Sequence, residues 1–315
     1  MNTKVLDIYY KVIKPFLPRR IQISLRRCIA QRVEKTVGHV WPIDEKAGSK
    51  PENWRGWPNG KKFALVLTHD VERQGGVEKC LKLTDPEKKY GLRSSFNFVP
   101  YGYLVPQELR KQLTDEGFEV GVHGLIHYGN MFSDRVQFES QAVQINKTLK
   151  EWGSVGFRAP SMFHNLEWIL DLDIEYDLST FDTDPFEAQP DGVRTIFPFF
   201  VNGNDTRPGY IELPYTLVQD FTLFIVLRNK NIDVWKKKLD WIADQGGMAL
   251  VNVHPDYINF DGKPETIDEY PVKLYTDLLE YLRSKYAGQY WHVLPREMAR
   301  FWRNSLSYET KGDSR

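Results

Sequence analysis

Cysteine is scarce in this chain: Cys28 and Cys80 are the only two among 315 residues. At most one bridge could form in a chain long enough to bury its own core, so no disulfide framework is implied and a reducing compartment fits. Long apolar runs are missing as well. Phe63 to Leu67, and Phe221 to Leu227 with Thr222 inside it, fall far short of the roughly 18 residues that a membrane-spanning helix requires. The start, Met1 to Leu6 and then Asp7, has no continuous apolar segment of the signal-peptide kind. A cytoplasmic protein is the expectation. There is no net charge either, because 42 basic and 42 acidic side chains cancel. Without a basic excess to neutralise phosphates, nucleic acid is not an expected partner. What is present, 41% apolar and 27% charged residues, is the composition of a globular chain.

The balance conceals an asymmetry. Residues 1–40 carry nine Lys or Arg against Asp7 and Glu34, a net of plus seven that the remainder offsets. Within them Val5, Ile8, Tyr9, Val12, Ile13 and Phe16 recur at three- and four-residue spacing, the pattern of one apolar helix face with lysines at other positions. Such a helix either packs on the main domain or lies on an anionic membrane surface. The division expected is a basic helical extension with its linker, residues 1–53, followed by one domain over 54–315.

From Phe63 onward, short apolar or β-rich runs alternate with segments of helical period. Ser95 to Val99 precedes Pro106 to Glu116, Phe118 to Val122 precedes Arg135 to Trp152, and Gly156 to Arg158 precedes Leu166 to Leu172. Tyr176 to Phe181 and Tyr210 to Leu213 read as strands, Val234 to Ala243 as a helix before the strand Met248 to Val253, and Pro271 to Tyr286 as a helix before Tyr290 to Leu294. Repeated β-then-α units predict an α/β fold, a (β/α) barrel of about seven strands, irregular or partly open.

In such a barrel the chemistry gathers at the carboxyl ends of the strands, and the residues that end these runs are polar. The first ends in Thr68-His69-Asp70-Val71-Glu72, the third in His123-Gly124-Leu125-Ile126-His127, the fourth in Arg158-Ala159-Pro160, and a late one in His254-Pro255-Asp256. Charged groups there are costly to bury unless paired or bound to metal. Two histidines four apart with a carboxylate from a neighbouring strand end supply three ligands and leave room for water, the layout of a catalytic metal site. Asp70 and Glu72, two apart, share a strand face, so one can hold the metal while the other takes a proton. His69 either supports this motif or is simply packed. Tyr101, Tyr103, Phe186, Phe199, Phe200 and Tyr215 fall in loops near the expected mouth, and Asp256 to Glu269 reads as an acidic loop, a lid or a solvated turn.

The order of these motifs resembles the polysaccharide deacetylase family, metal-dependent hydrolases that remove acyl groups from amino sugars on a (β/α) barrel; the resemblance covers residues 63–295. It implies that Asp70 matches the family's base and that Glu72 stands in for the aspartate ligand. His123 and His127 match the histidine ligands, although Gly124 replaces a hydroxyl residue. Arg158 matches the arginine that orients the base, the Ser161 backbone N–H the oxyanion donor, and His254 the general acid. The aspartate that orients this acid is carried over to Asp182 or Asp184 in Phe181-Asp182-Thr183-Asp184-Pro185, with Asp182 preferred; the usual tryptophan is missing. The implied cofactor is a divalent metal, Zn2+ with Co2+ or Ni2+ tolerated. The implied substrate is an acylated amino sugar, in a polymeric or lipid-linked glycan, cleaved at its N-acetyl group. Alternatives are hydrolysis of another C–N bond, a formamide or cyclic imide, or an inactive glycan-binding barrel, and residues 1–40 offer peripheral membrane contact.

Overall fold

The computed structural model describes residues 17–127, 131–203, 207–262 and 266–307. The apolar periodicity over Val5 to Phe16 lies outside the described residues. The first described helix, α1 (Arg19–Glu34), packs Ile23 and Ala30 into the same core as the barrel strands. Ala47 is fully buried, and its carbonyl accepts from the Ile196 N–H at 3.0 Å. Ile23, Ala30 and Ala47, upstream of residue 54, thus share a core with the strands that follow.

The centre is β1 (Phe63–Val71), buried along its whole length. Its first half pairs in parallel with β11 (Tyr290–His292), residues 64–68 pair with β8 (Met248–Asn252), and its last four residues pair with β2 (Ser95–Phe98). A strand flanked on both edges and covered on both faces has no exposed side, so it reads as an apolar run rather than an alternation. From β2 the parallel sheet continues through β3 (Glu119–His123), β4 (Gly156–Arg158), β5 (Tyr176–Asp177) and β7 (Tyr210–Glu212). β6 (Phe199–Val201) adds an antiparallel edge. The sheet is open and strongly curled, and an isolated bridge from Leu217 to Val251, with the Thr216 N–H on the Leu250 carbonyl at 3.0 Å, links its far end to β8. The predicted irregular (β/α) barrel is the observed architecture.

The helices α2 (Cys80–Lys89), α3 (Gln107–Asp115), α4 (Arg135–Trp152), α5 (Asp233–Gln245), α6 (Lys273–Tyr286) and α7 (Pro295–Ser307) surround the sheet. α4 starts on Asp134, whose carboxylate accepts from the Gln137 N–H at 2.8 Å, and ends on Gly153 at φ +63°. Both are standard helix ends, a side-chain oxygen taking an orphan N–H and a glycine taking the left-handed turn. The apolar run Phe221–Val226 forms a buried π-helical turn, and two short strands, β9 (Ile258–Asn259) and β10 (Tyr270–Pro271), form a separate parallel pair. None of the described helices is long and apolar enough to cross a membrane.

A candidate metal centre at the carboxyl ends of the strands

Asp70 near the end of β1, Asn97 in β2, His123 ending β3, Arg158 ending β4 and Asn252 ending β8 all point into one end of the barrel. Glu72 follows β1, and its backbone N–H donates to Asp256 Oδ2 at 2.8 Å. Glu72, His123 and His127 bring one ligand atom each to within 4.8 Å of one another. The His123 Nδ1–H donates to the Arg158 carbonyl at 3.1 Å, which leaves Nε2 unprotonated and facing the cluster. His127 Nε2 lies 3.2 Å from Glu72 Oε1, yet this buried nitrogen makes no hydrogen bond of acceptable geometry. Two imidazole nitrogens and a carboxylate converging with an orphaned nitrogen among them fit a divalent ion, and the donor set suits zinc. The Tyr257 hydroxyl donates to Glu72 Oε2 and leaves Oε1 turned to the histidines. Burial would raise the Glu72 carboxyl, but His127 and Tyr257 outweigh it and hold it well below the usual range. Burial also pushes His123 down to about 4, the neutral form a ligand needs.

Asp70 is held differently. Its Oδ1 accepts from Arg158 Nη1 at 3.0 Å and Asn97 Nδ2 at 2.9 Å, and its Oδ2 from Asn252 Nδ2 at 2.8 Å. Oδ2 remains 3.9 Å from His123 Nε2 and 4.0 Å from His254 Nε2. Burial opposes ionisation of this carboxyl, but Arg158 and the two imidazoles prevail and keep it far below its ordinary value. Arg158 is itself fully buried and also bonds Thr68 Oγ1 at 3.0 Å and the Leu178 carbonyl at 2.9 Å. Its position is over-determined.

His254 follows β8 and also borders the cluster, 3.9 Å from Glu72 Oε1 and 4.0 Å from Asp70 Oδ2. Here the structure corrects the assignment of Asp182. Asp182 is buried against Lys238 of α5, with Nζ 2.6 Å from Oδ2, and Asp184 accepts from the Tyr215 hydroxyl at 2.9 Å. The partner of His254 Nδ1 is Asp220 Oδ1 at 2.6 Å, while Asp220 Oδ2 accepts from the His254 backbone N–H at 2.8 Å and from the Tyr270 hydroxyl at 2.8 Å. Burial disfavours an imidazolium, but Asp220, with Glu72 and Asp70 beyond it, pushes His254 up to about 10. Nothing in the sequence around Asp220 marks it. It stands at the start of the π-helical turn, 34 residues before the histidine it holds.

Ser161 lines the same cavity, with φ +57° followed by Met162 at +54°. Two successive non-glycine residues in the left-handed region cost about 1–3 kcal/mol each and persist where the surroundings hold them. Gly124 explains the missing hydroxyl residue: its φ is +64°, and a Cβ there would lie 2.5 Å from Pro160 Cγ. His69 faces away, bonded to Glu87 Oε1 at 2.8 Å and the Val253 carbonyl at 2.9 Å. The aromatic rings expected at the mouth do not line the cavity; Phe221 and Tyr257 do, with Glu187, Gln219 and, from α1, Arg19 and Arg26. The cavity volume is about 70 Å³. Asp256 is no solvated loop residue, since it holds the Glu72 backbone.

No family model matches the chain, and no curated protein matches it in sequence. Solved structures do match. A protein assigned as a polysaccharide deacetylase from Mycobacterium smegmatis superposes with a TM-score of 0.62 at 17% identity, over 82% of this chain and 96% of that one. Puue allantoinase gives 0.62 and 17% over 84% and 98%, and a protein assigned as a polysaccharide deacetylase from Pseudomonas aeruginosa PAO1 gives 0.60 and 15% over 85% and 97%. The chain shares their fold.

Proposed function

We propose that this protein is a metal-dependent hydrolase that removes an acyl group, N-acetyl first among candidates, from an amino sugar of a glycan or glycolipid. The observation that carries this reading is that Asp70 and His254 both border the Glu72–His123–His127 cluster, Asp70 Oδ2 3.9 Å from His123 Nε2 and His254 Nε2 3.9 Å from Glu72 Oε1. One group is held ionised and the other protonated beside the same three ligands. Such opposed environments mark a base and an acid. Glu72, His123 and His127 would hold the ion, which supplies Lewis acidity, polarising an amide carbonyl and making a water easier to deprotonate.

The rest is the work of the chain's own side chains. Asp70 Oδ2 accepts a proton from the attacking water, with Arg158, Asn97 and Asn252 fixing its orientation so that only one oxygen faces the site. The Ser161 N–H supports the negative charge that develops on the carbonyl oxygen. The His254 imidazolium donates its Nε2 proton to the departing amine, which is a poor leaving group without it, and Asp220 keeps the charge and the tautomer in place. Similarity to deacetylases in fold supports the same reading.

A second reading has one observation in its favour. The cavity is roofed by Arg19, Arg26 and Phe221, which suits a small amide, and the fold is equally similar to Puue allantoinase. Purified protein loaded with zinc, assayed for amine release from N-acetylated amino sugars and for ring opening of small cyclic amides, tests both. Amine release with loss in Asp70→Asn supports the deacetylase; ring opening alone transfers the assignment to the second reading. Neither activity in a protein with a full complement of metal rejects both.

A further inference from the structure

α1 has two working faces. Its inner face carries buried Ile23 and Ala30 and brings Arg19 and Arg26 to the cavity, with Arg19 donating to Asp268 Oδ2 at 3.2 Å and to the Tyr257 hydroxyl at 3.3 Å. Its outer face carries Ile21, Leu25 and Ile29, exposed by 46%, 44% and 50%. Spaced four apart, they form one stripe along the helix. Elsewhere the large exposed apolar residues are scattered over α4 and the loop before α3, as single residues commonly are.

The stripe is flanked by charge of one sign. Arg20, Arg32 and Lys35 are exposed beside it, with Glu34 the one acidic residue of the helix. Along its flank, Arg27, Arg228 and Lys230 line a second cavity of about 290 Å³, with Glu269 the one carboxylate among the described residues that line it. Arg27 bonds the Ile225 and Ile267 carbonyls, and burial together with the nearby Arg228 lowers its pKa. The 16 residues before the described chain add Lys4, Lys11 and Lys14 against Asp7. An apolar stripe with a basic border complements a surface that is apolar beneath and anionic on top, which a protein partner would have to imitate and a bilayer provides.

We infer that α1 is a membrane-docking helix, which seats Ile21, Leu25 and Ile29 among the acyl chains of an anionic bilayer with Arg20 and Arg32 at the lipid headgroups. Because the same helix roofs the metal cavity, docking holds the site about one helix diameter, roughly 10 Å, from the headgroup layer. The inference concerns the helix and stands whether or not the deacetylase reading does.

The exposed Cys28 lies on the outer face and Cys80 is buried, so full-length native protein can be labelled at Cys28 with an environment-sensitive fluorophore. Vesicles of neutral phosphatidylcholine, with and without 30% (about a third) phosphatidylglycerol, are the probe. Labelled protein should bind the anionic vesicles with a blue shift, bind the neutral ones at least about tenfold more weakly, and be released by salt. Ile21→Glu with Leu25→Glu and Ile29→Glu should abolish the shift and lower binding by about tenfold or more, since the variant has no apolar stripe to bury. Arg20→Glu with Arg32→Glu should weaken anionic binding alone. Metal content and circular dichroism of each variant report folding. Binding that persists in both variants without a shift at Cys28 overturns the inference and leaves residues 1–16 as the contact. So does a stable dimer that shields Cys28 in solution without vesicles. Amide hydrolysis in solution is scored separately, so its absence counts against the proposed activity and not against docking.

Discussion

Asp220→Asn isolates the contact that the sequence concealed. Asp220 is fully buried, and its two oxygens take four donors: His254 Nδ1 at 2.6 Å, the Phe221 and His254 backbone N–H groups at 2.8 Å each, and the Tyr270 hydroxyl at 2.8 Å. Asparagine keeps the shape but loses the charge, and either orientation sets an NH2 against a backbone N–H. Breaking a buried ion pair costs about 3–5 kcal/mol, so the variant is assayed well below its melting temperature. The group that raises His254 most is gone, and burial then acts against the imidazolium with only Glu72 and Asp70 opposing. The pKa falls from about 10, at about 1.4 kcal/mol per unit, and the alkaline limb of kcat moves to lower pH. Where wild type is still protonated and the variant is not, kcat should fall by roughly 10² to 10⁴, the usual worth of a positioned acid, with KM little changed. Stability follows the same sign. The raised pKa stabilises the fold fully below 6.5, and that contribution declines as pH rises toward about 10. Amine-release profiles of kcat over pH 5–10 (about five units) give the readout. An alkaline limb that stays where it is would refute the role of Asp220 and restore Asp182 to consideration.

Three further outcomes are expected. Asp70→Asn should retain the metal while turnover falls by roughly 10² to 10⁴, and Glu72→Ala should lower metal affinity; the reverse pattern by metal analysis exchanges their roles. Buried Glu119, whose oxygens accept from the Tyr176 hydroxyl at 2.9 Å and the Arg296 N–H at 3.2 Å, is pushed up to about 7 by burial. Its protonated form therefore stabilises the fold below 4.5 and the gain is lost as pH rises through 7, at up to about 1.4 kcal/mol per unit. Urea midpoints of wild type and Glu119→Gln should diverge across that window, and parallel curves would contradict the assignment. Deleting residues 1–35 should lower the melting temperature by several degrees, because buried Ile23 alone contributes about 1.5–3 kcal/mol; an unchanged transition would make α1 an appendage.

The legible parts of the fold were those with one local cause. β1 and β8 are continuous apolar runs, and α4 and α6 have clear period, so their places followed from sequence alone. A helical extension is expected within residues 1–53, but the bounds of α1 were hidden because Ile21, Leu25 and Ile29 face outward while Ile23 and Ala30 face in, which leaves no single apolar face. α2 was hidden by Pro86 inside it and by a lysine-rich run. β6 is an edge strand of three half-buried residues, and Phe221–Val226 is as apolar as a strand although it turns as a π-helix. In the candidate site, Asp70, Glu72, His123, His127, Arg158 and His254 stand at strand ends in motifs with fixed spacing, and the fold brings them together. Asn97, Asn252, Asp220 and Tyr257 belong to no such motif. Their partners are 27 to 185 residues away, and only the curling of the sheet makes them neighbours.

The proposed activity requires one divalent ion held by Glu72, His123 and His127. Elemental analysis of purified wild type beside the His123→Ala, His127→Ala double variant, with amine release measured on the same samples before and after chelation, tests it most directly. Wild type should carry about one equivalent of metal per chain and the double variant none, with activity lost on chelation and regained with zinc. Chelated wild type that contains no metal and still cleaves the amide at the full rate, or a double variant that keeps its metal, would contradict it.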